Sequence, residues 1–398
     1  MRWLSLPIVI TVLAVGAPVT EASGEPGVPG GPEVSGGPGV SVEFEELHRW
    51  GFPSAAVWAV NEAGQAAGAL HSPTSRPISV RWDGAGTWPT SVGRVLPTGI
   101  NGRGDVLNFS VLKSAGALIY SISAWENGTE VERTPQRPTT ATLSSRDIND
   151  SGVVPVGYHH LDDPVQDSYT RTRAGAWRNG KFADLPLPKA INVEHKLVNN
   201  RGTTAGSLTL LDKSADYAFR CSATRCTRLP GIAPTGYHKA LALNESDVVA
   251  GTYQAAYGAP TRALVWTGNQ VTVLPGDESG VADNTSAINE SGDVVGWRVV
   301  DGVRKAALWR GGRAVDLGTS GASEAVAVND RGDVVGWHTV NGGFRTFYWR
   351  AGTLTDLPTP DDVGALPTGL NNSGVVVGNT DRGLWPPARA FRWTVRLP

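Results

Sequence analysis

Two cysteines and a single methionine are all the sulfur that 398 residues carry. A disulfide or metal framework needs several cysteines at regular spacing, so packing must hold this fold. Charge is also sparse: charged residues make up 18%, and the formal net charge is −2 with both signs interspersed. No basic face is left for nucleic acid or an anionic membrane surface. Long apolar runs are missing too. The longest, residues 4–17, is interrupted by Ser5, Pro7, Thr11 and Gly16, and a membrane span needs ~20 apolar residues. There is no G-x-S-x-G elbow, H-E-x-x-H, Walker loop or zinc-type cysteine spacing, hence no motif for a nucleophile, metal or nucleotide. No cofactor and no resident metal are expected.

What is present begins with an export signal. Met1-Arg2-Trp3 leads into the apolar run, and Ala22-Ser23-Gly24 follows it, the layout of a cleaved signal peptide over residues 1–22. Residues 23–41 hold seven Gly and four Pro without a large apolar side chain. Such a stretch buries nothing and reads as a disordered linker. From Val42 the composition is uniform to the end, so 42–398 reads as one domain of a secreted, extracellular chain that spans no membrane after cleavage.

That domain repeats itself. NESGDVVGW from Asn289 returns as NDRGDVVGW from Asn329, and alignment on this Asn gives Asn61, Asn101, Asn149, Asn199, Asn244, Asn289, Asn329 and Asn371. Their spacing of 40 to 50 residues marks a repeat architecture. Each copy reads as a β-compatible run, N-x-x-G, a second run, a variable segment, a run ending in Trp, a Gly turn and a last run. Short β-branched and aromatic runs divided by Gly, Asn and Asp are strands joined by hairpins, so each repeat has four strands, a to d. In N-x-x-G the Asn side chain bonds its own turn while Gly takes the left-handed conformation. Repeat 5 has Asp247 there, a residue that tolerates it. A second Gly seven residues after the Asn signals close strand packing. Asn108 replaces it in repeat 2. In repeat 3 Pro155 shifts it to Gly157, which predicts a bulge.

Trp at the end of strand c recurs at 82, 125, 177, 266, 309, 349 and 393. Such regularity fits a wedge between sheets better than a ligand platform. Repeat 4 has Cys221 instead, and Cys226 falls near the start of strand d. Two cysteines across a hairpin of an exported protein predict a structural disulfide, contributing about 2 kcal/mol for so short a loop.

Four-stranded units of this length predict an all-β propeller. Eight blades follow from the Asn count, with seven as the alternative. After Trp393 too little chain remains for strand d. However, VEFEELH (42–48) places Leu47 fourteen residues before Asn61, the interval separating Leu357 from Asn371. This N-terminal strand is therefore expected to close the last blade and leave no open sheet edge.

RAFRW (389–393), DYAFRC (216–221), RALVW, KAALW and the N-D-x-G-x-V-V-G strings resemble the extracellular HAF-repeat proteins. There an A-I-N-x-x-G-x-V-V-G stretch pairs with His-Ala-Phe before a Trp. The resemblance covers 54–393 and implies an exported repeat protein; it carries over no catalytic residue. The departures are Arg389 in place of the family's His and Cys221 in place of Trp.

Loops on a rigid scaffold usually carry function. His159, His160, Asp162 and Asp163 in the b–c loop of repeat 3 are residue types that ligate divalent ions, but no second cluster completes a metal site. Tyr253, Tyr257, Arg382 and Trp385 offer rigid aromatic and cationic contacts to a sugar or a protein. The expectation is a secreted, monomeric, non-catalytic module that binds an extracellular protein or glycan, not nucleic acid. The alternative is an extracellular hydrolase or lyase with its site over the central axis. An enzyme would gather ionisable groups from several blades.

Overall fold

The computed structural model describes residues 34–35, 40–114, 117–135, 145–159, 172–188, 190–210, 215–276, 284–360, 364–380 and 388–396. Among these residues there is no α-helix, and no helix is long and apolar enough to cross a membrane.

Repeat 7 shows how the sequence grammar folds. Strand a is Ser323–Val328, b is Val334–Val340, c is Gly343–Arg350 and d is Thr353–Asp356, paired antiparallel in that order. Asn341 and Gly342 join b to c at φ 51° and 82°, matching a two-residue hairpin whose twist follows that of its strands. At the a–b turn Gly332 N–H donates to the Asn329 carbonyl. The turn glycine has φ between 74° and 87° in seven repeats, and Asp247 takes φ 61° in repeat 5.

The repeats stand round one axis as the blades of a β-propeller, with strand a innermost. Each ring Asn uses both ends of its amide. Its Oδ1 accepts from the backbone N–H four residues on, at 2.8–3.0 Å. Its Nδ2 donates to the backbone oxygen of the Asn in the next repeat, at 2.8–3.2 Å. The eight links close on themselves. A second belt runs outside the first, in which the residue after each Asn donates its N–H to the side chain of its counterpart one repeat on. Its gap falls after Glu62, where the next counterpart is Gly102 and has no acceptor.

Between blades the strand-c tryptophans are core in six repeats, while Trp125 of repeat 2 is partly buried. Trp82, Trp266, Trp309 and Trp393 are buried, and each indole N–H donates to a carbonyl just after strand d of the preceding blade: His48, Pro230, Pro275 and Pro358. Gly336 packs where the sequence implies close approach. A Cβ there would lie 2.1 Å from the Glu324 carbonyl and 2.6 Å from the Phe347 ring. Gly68, Gly206, Gly251 and Gly378 are equally confined by strand a.

Repeat 3 departs from expectation. Among the described residues its blade has three strands (Val154–His159, Thr172–Arg178, Lys181–Asp184), and residues 145–149, which lead to the ring turn, form no ladder. The bulge expected near Pro155 is not there: b and c pair without a register shift, with Val156 opposite Gly175. Bulges occur elsewhere, in strand a itself. The residue three before the ring Asn is skipped by the ladder in the other seven repeats, a device that bends a strand.

Closure is by the N-terminus. Ser41–Glu46 pairs antiparallel with the final strand Ala390–Arg396, in register from Ser41↔Arg396 to Glu46↔Phe391. Leu47 N–H donates to the Ala390 carbonyl as Leu357 N–H donates to Thr346. Arg389, the departure from His, bonds Glu46 at 2.6 Å and pins this strand. The Cys221–Cys226 disulfide bridges strands c and d of repeat 4.

Candidate functional site

Strand order puts a–b and c–d turns at one end of the ring and b–c and d–a loops at the other. Along strand a, residues five and three before the ring Asn are partly exposed in repeats 4, 5, 7 and 8, while the residue between them is buried. These alternate positions face the axis. They form the channel wall towards the b–c and d–a loops.

Charge gathers on one side of this wall. In repeat 4 (strand a Ala190–Val198) Glu194 and Lys196 occupy the two positions, and in repeat 5 (Gly236–Leu243) Lys239 takes the first. Lys196 Nζ lies 3.1 Å and Lys239 Nζ 3.5 Å from the Glu194 carboxylate. Burial works against ionisation of Glu194, but the two lysines outweigh it and hold its carboxyl below the usual range. In repeat 7 Glu324 has the same position. It accepts from Arg304 on strand c of repeat 6 (Val303–Arg310) and from Ser286 Oγ at 3.3 Å. The Arg304 guanidinium lies 4.4 Å from the Trp297 ring and 5.5 Å from the Trp337 ring. Phe344 meets Trp337 edge-on at 5.1 Å. Repeats 1, 2 and 8 put Trp58, Leu96 and Leu366 on their share of the wall, with Thr98 and Thr368 beside the two leucines, so the carboxylates and lysines of the wall belong to repeats 4, 5 and 7.

Of the loop residues singled out from sequence, His159, Tyr253 and Tyr257 lie among the described residues. His159 ends strand b of repeat 3, opposite Thr172. His160, Asp162, Asp163, Arg382 and Trp385 lie outside the described residues. Tyr253 packs on the His238 ring at 4.7 Å, whereas Tyr257 is 88% exposed. His238 accepts from Ile232 N–H through Nε2 at 3.3 Å, so its Nδ1–H donates to the Asp216 carbonyl, and burial lowers its pKa. It is a neutral core histidine. His195, buried in repeat 4, is pushed down to about 4, chiefly by burial. Among the described residues no three His, Cys, Asp or Glu side chains are grouped to hold a metal ion. Trp297 and Trp337, inside the repeated GDVVGW strings, stand on strand b and are distinct from the wedge tryptophans of strand c. Their position eight residues after the ring Asn was the available signal.

No protein-family model matches the chain, and no curated protein does. Solved structures do. The chain is similar to Pyrococcus horikoshii acylaminoacyl peptidase at 8% identity and a TM-score of 0.50, over 82% of this chain and 57% of that one. It is also similar to Staphylococcus aureus virginiamycin B lyase at 10% identity and a TM-score of 0.46, over 89% and 99%. A third likeness is to the β-propeller domain of the Trilobed protease from Pyrococcus furiosus, at 10% identity and a TM-score of 0.45, over 86% and 97%. At such identities the likeness extends to the fold alone. The class is the β-propeller.

Proposed function

We propose that this chain is an exported, monomeric HAF-repeat propeller that binds an extracellular glycan at the b–c and d–a end of its ring. The observation that carries the reading is the Trp297–Arg304–Trp337 stack beside Glu324 on blades 6 and 7. Rigid aromatic faces stack on sugar rings, and an ordered Arg–carboxylate pair supplies directional donors and acceptors for hydroxyls. Tight b–c hairpins in repeats 6 and 7 join the strands that carry this stack. The Cys221–Cys226 disulfide agrees with an oxidising compartment.

The test is calorimetric titration of the protein from Ser23 onward with a panel of cell-surface polysaccharides. Trp297→Ala should weaken the best binder at least tenfold while its circular dichroism spectrum stays unchanged. Equal affinity in the variant would remove the glycan reading from this edge. Retention of a protein partner instead would transfer the role to protein recognition.

The alternative of a hydrolase or lyase over the axis draws on the ionisable groups of blades 4 to 7. Within the wall, however, Glu194 is already matched by two lysines and Glu324 by Arg304, which suits recognition better than proton transfer.

A further inference from the structure

A second constellation lies on the other face of the same strand. Trp337 and His338 are neighbours on Val334–Val340, so their side chains point to opposite sides of the sheet. His338 is buried, with its ring edge-on to Phe347 at 5.7 Å. Its Nε2 lies 2.8 Å from Asp356 Oδ1, at the end of strand d. On its other side Nδ1 lies 3.1 Å from Ser320 Oγ and accepts the Ser320 backbone N–H at 3.3 Å. Ser320 is exposed, in the loop that leads from blade 6 to blade 7.

These contacts settle the tautomer. A backbone amide can only donate, so Nδ1 carries a lone pair and the proton sits on Nε2, directed at Asp356. The Nδ1 lone pair, which accepts the Ser320 backbone N–H, also faces the serine hydroxyl; that hydroxyl lies between Nδ1 at 3.1 Å and the Thr339 carbonyl at 3.3 Å, and the Asp356 carboxylate orients the ring from behind. That is the arrangement by which a serine is made nucleophilic.

The site is also singular within the chain. The residue nine after the ring Asn is Leu70, Ser110, Tyr158, Leu208, Tyr253, Arg298, His338 or Thr380. In repeat 3 Tyr158 makes the same contact to the last residue of strand d, Asp184. Repeat 7 alone places a base there. The loop is pinned beside it: Ala322 N–H donates to Thr339 Oγ1 at 2.9 Å and Thr339 N–H to the Ala322 carbonyl at 2.9 Å. Gly321 stands at φ 48°, and a Cβ there would lie 2.1 Å from Thr339 Oγ1. Its N–H, next after the serine, makes no hydrogen bond among the described residues, which leaves it available as an oxyanion donor. Lys305 Nζ, 3.2 Å from the Thr319 carbonyl, adds a positive charge nearby.

The geometry points to Ser320, His338 and Asp356 as a serine hydrolase relay, acting on esters of small acyl groups carried by a molecule lying across this end of the ring. Ser320 Oγ attacks the acyl carbon while His338 Nδ1 takes its proton. The bond to the alcohol oxygen then breaks, and the alcohol leaves with that proton. Water attacks the acyl-serine, Nδ1 takes its proton in turn, and Oγ recovers it as the carboxylic acid departs. Asp356 is a positioning residue, and the exposed serine suits an acyl group presented from outside.

The experiment uses a soluble fluorophosphonate, whose phosphorus forms a bond to Oγ as fluoride leaves, and p-nitrophenyl acetate as ester. Wild-type protein should gain one adduct, located on Ser320 by peptide mass spectrometry. Ser320→Ala should lose the adduct and lower ester turnover at least a hundredfold with an unchanged melting temperature, because the side chain is exposed. Asp356→Asn should slow labelling at least tenfold, and Asp356→Glu, which still accepts from Nε2, should restore part of it. No adduct on Ser320 in folded wild-type protein would overturn the relay, as would equal turnover by wild type and Ser320→Ala. Neither reagent requires a bound glycan, so the outcome is independent of the binding reading.

Discussion

Asn371 Nδ2 donates to the backbone oxygen of Asn61 at 2.9 Å, joining the last repeat to the first across 310 positions of sequence. The same bond links every other neighbouring pair of repeats. The innermost layer is thus held by a closed circle of amides rather than by apolar contact alone. A closed circle has no end from which to fray.

Removing one member should be costly. Asn289→Ala would leave the buried Asp293 N–H without its acceptor and the Asn329 carbonyl without its side-chain donor. With ~1–3 kcal/mol for each buried group left unpaired, the loss should be about 2–4 kcal/mol. Guanidinium unfolding of the variant measures it, and a loss below about 1 kcal/mol would mean that water replaces the amide without penalty.

The N-terminal strand should behave as a full member of the last blade. Leu47 and Leu357 are both 3% exposed and hold equivalent places. Leu47→Ala and Leu357→Ala should therefore cost similar amounts, about 2–4 kcal/mol each. A negligible effect at Leu47 alone would show that the ring is stable without its closing strand.

Asp147 predicts a pH dependence. Burial raises its carboxyl to about 7, outweighing the Ile148 and Val198 N–H donors, while Glu245 adds to the rise. An unfolded aspartate titrates near ~3.9. Below that value both states are protonated and nothing is lost. As pH rises towards about 7 the unfolded chain gives up its proton and the folded one does not, so stability falls; above it the full penalty stands. Asp147→Asn stays neutral and keeps an acceptor for Ile148 N–H. Its advantage over wild type should grow to roughly 1–3 kcal/mol between pH 4 and pH 8. Urea midpoints at the two pH values test this, and an advantage equal at both would remove Asp147 as its source.

The sequence by itself determined the local units and how they join. Strand runs, Asn and Gly at turns, the periodic Trp, the Cys221–Cys226 pair and the Leu47 spacing each act over a few residues or recur at a fixed interval. They could be read because the same physical demand is met again in every repeat. Tertiary structure decided which residues of different repeats and strands meet. In repeat 3 strands b and c pair in unbroken register past Pro155, with Val156 opposite Gly175. The outward reach of the ring amides, the grouping of Glu194 with Lys239, the Trp297–Arg304–Trp337 stack and the meeting of Ser320 with His338 and Asp356 all depend on which face of a strand meets its neighbour. That choice rests on bulges in strand a and on the turning of blades about an axis. Neither leaves a mark in residue order, because the ladder skips a residue without needing any particular side chain there.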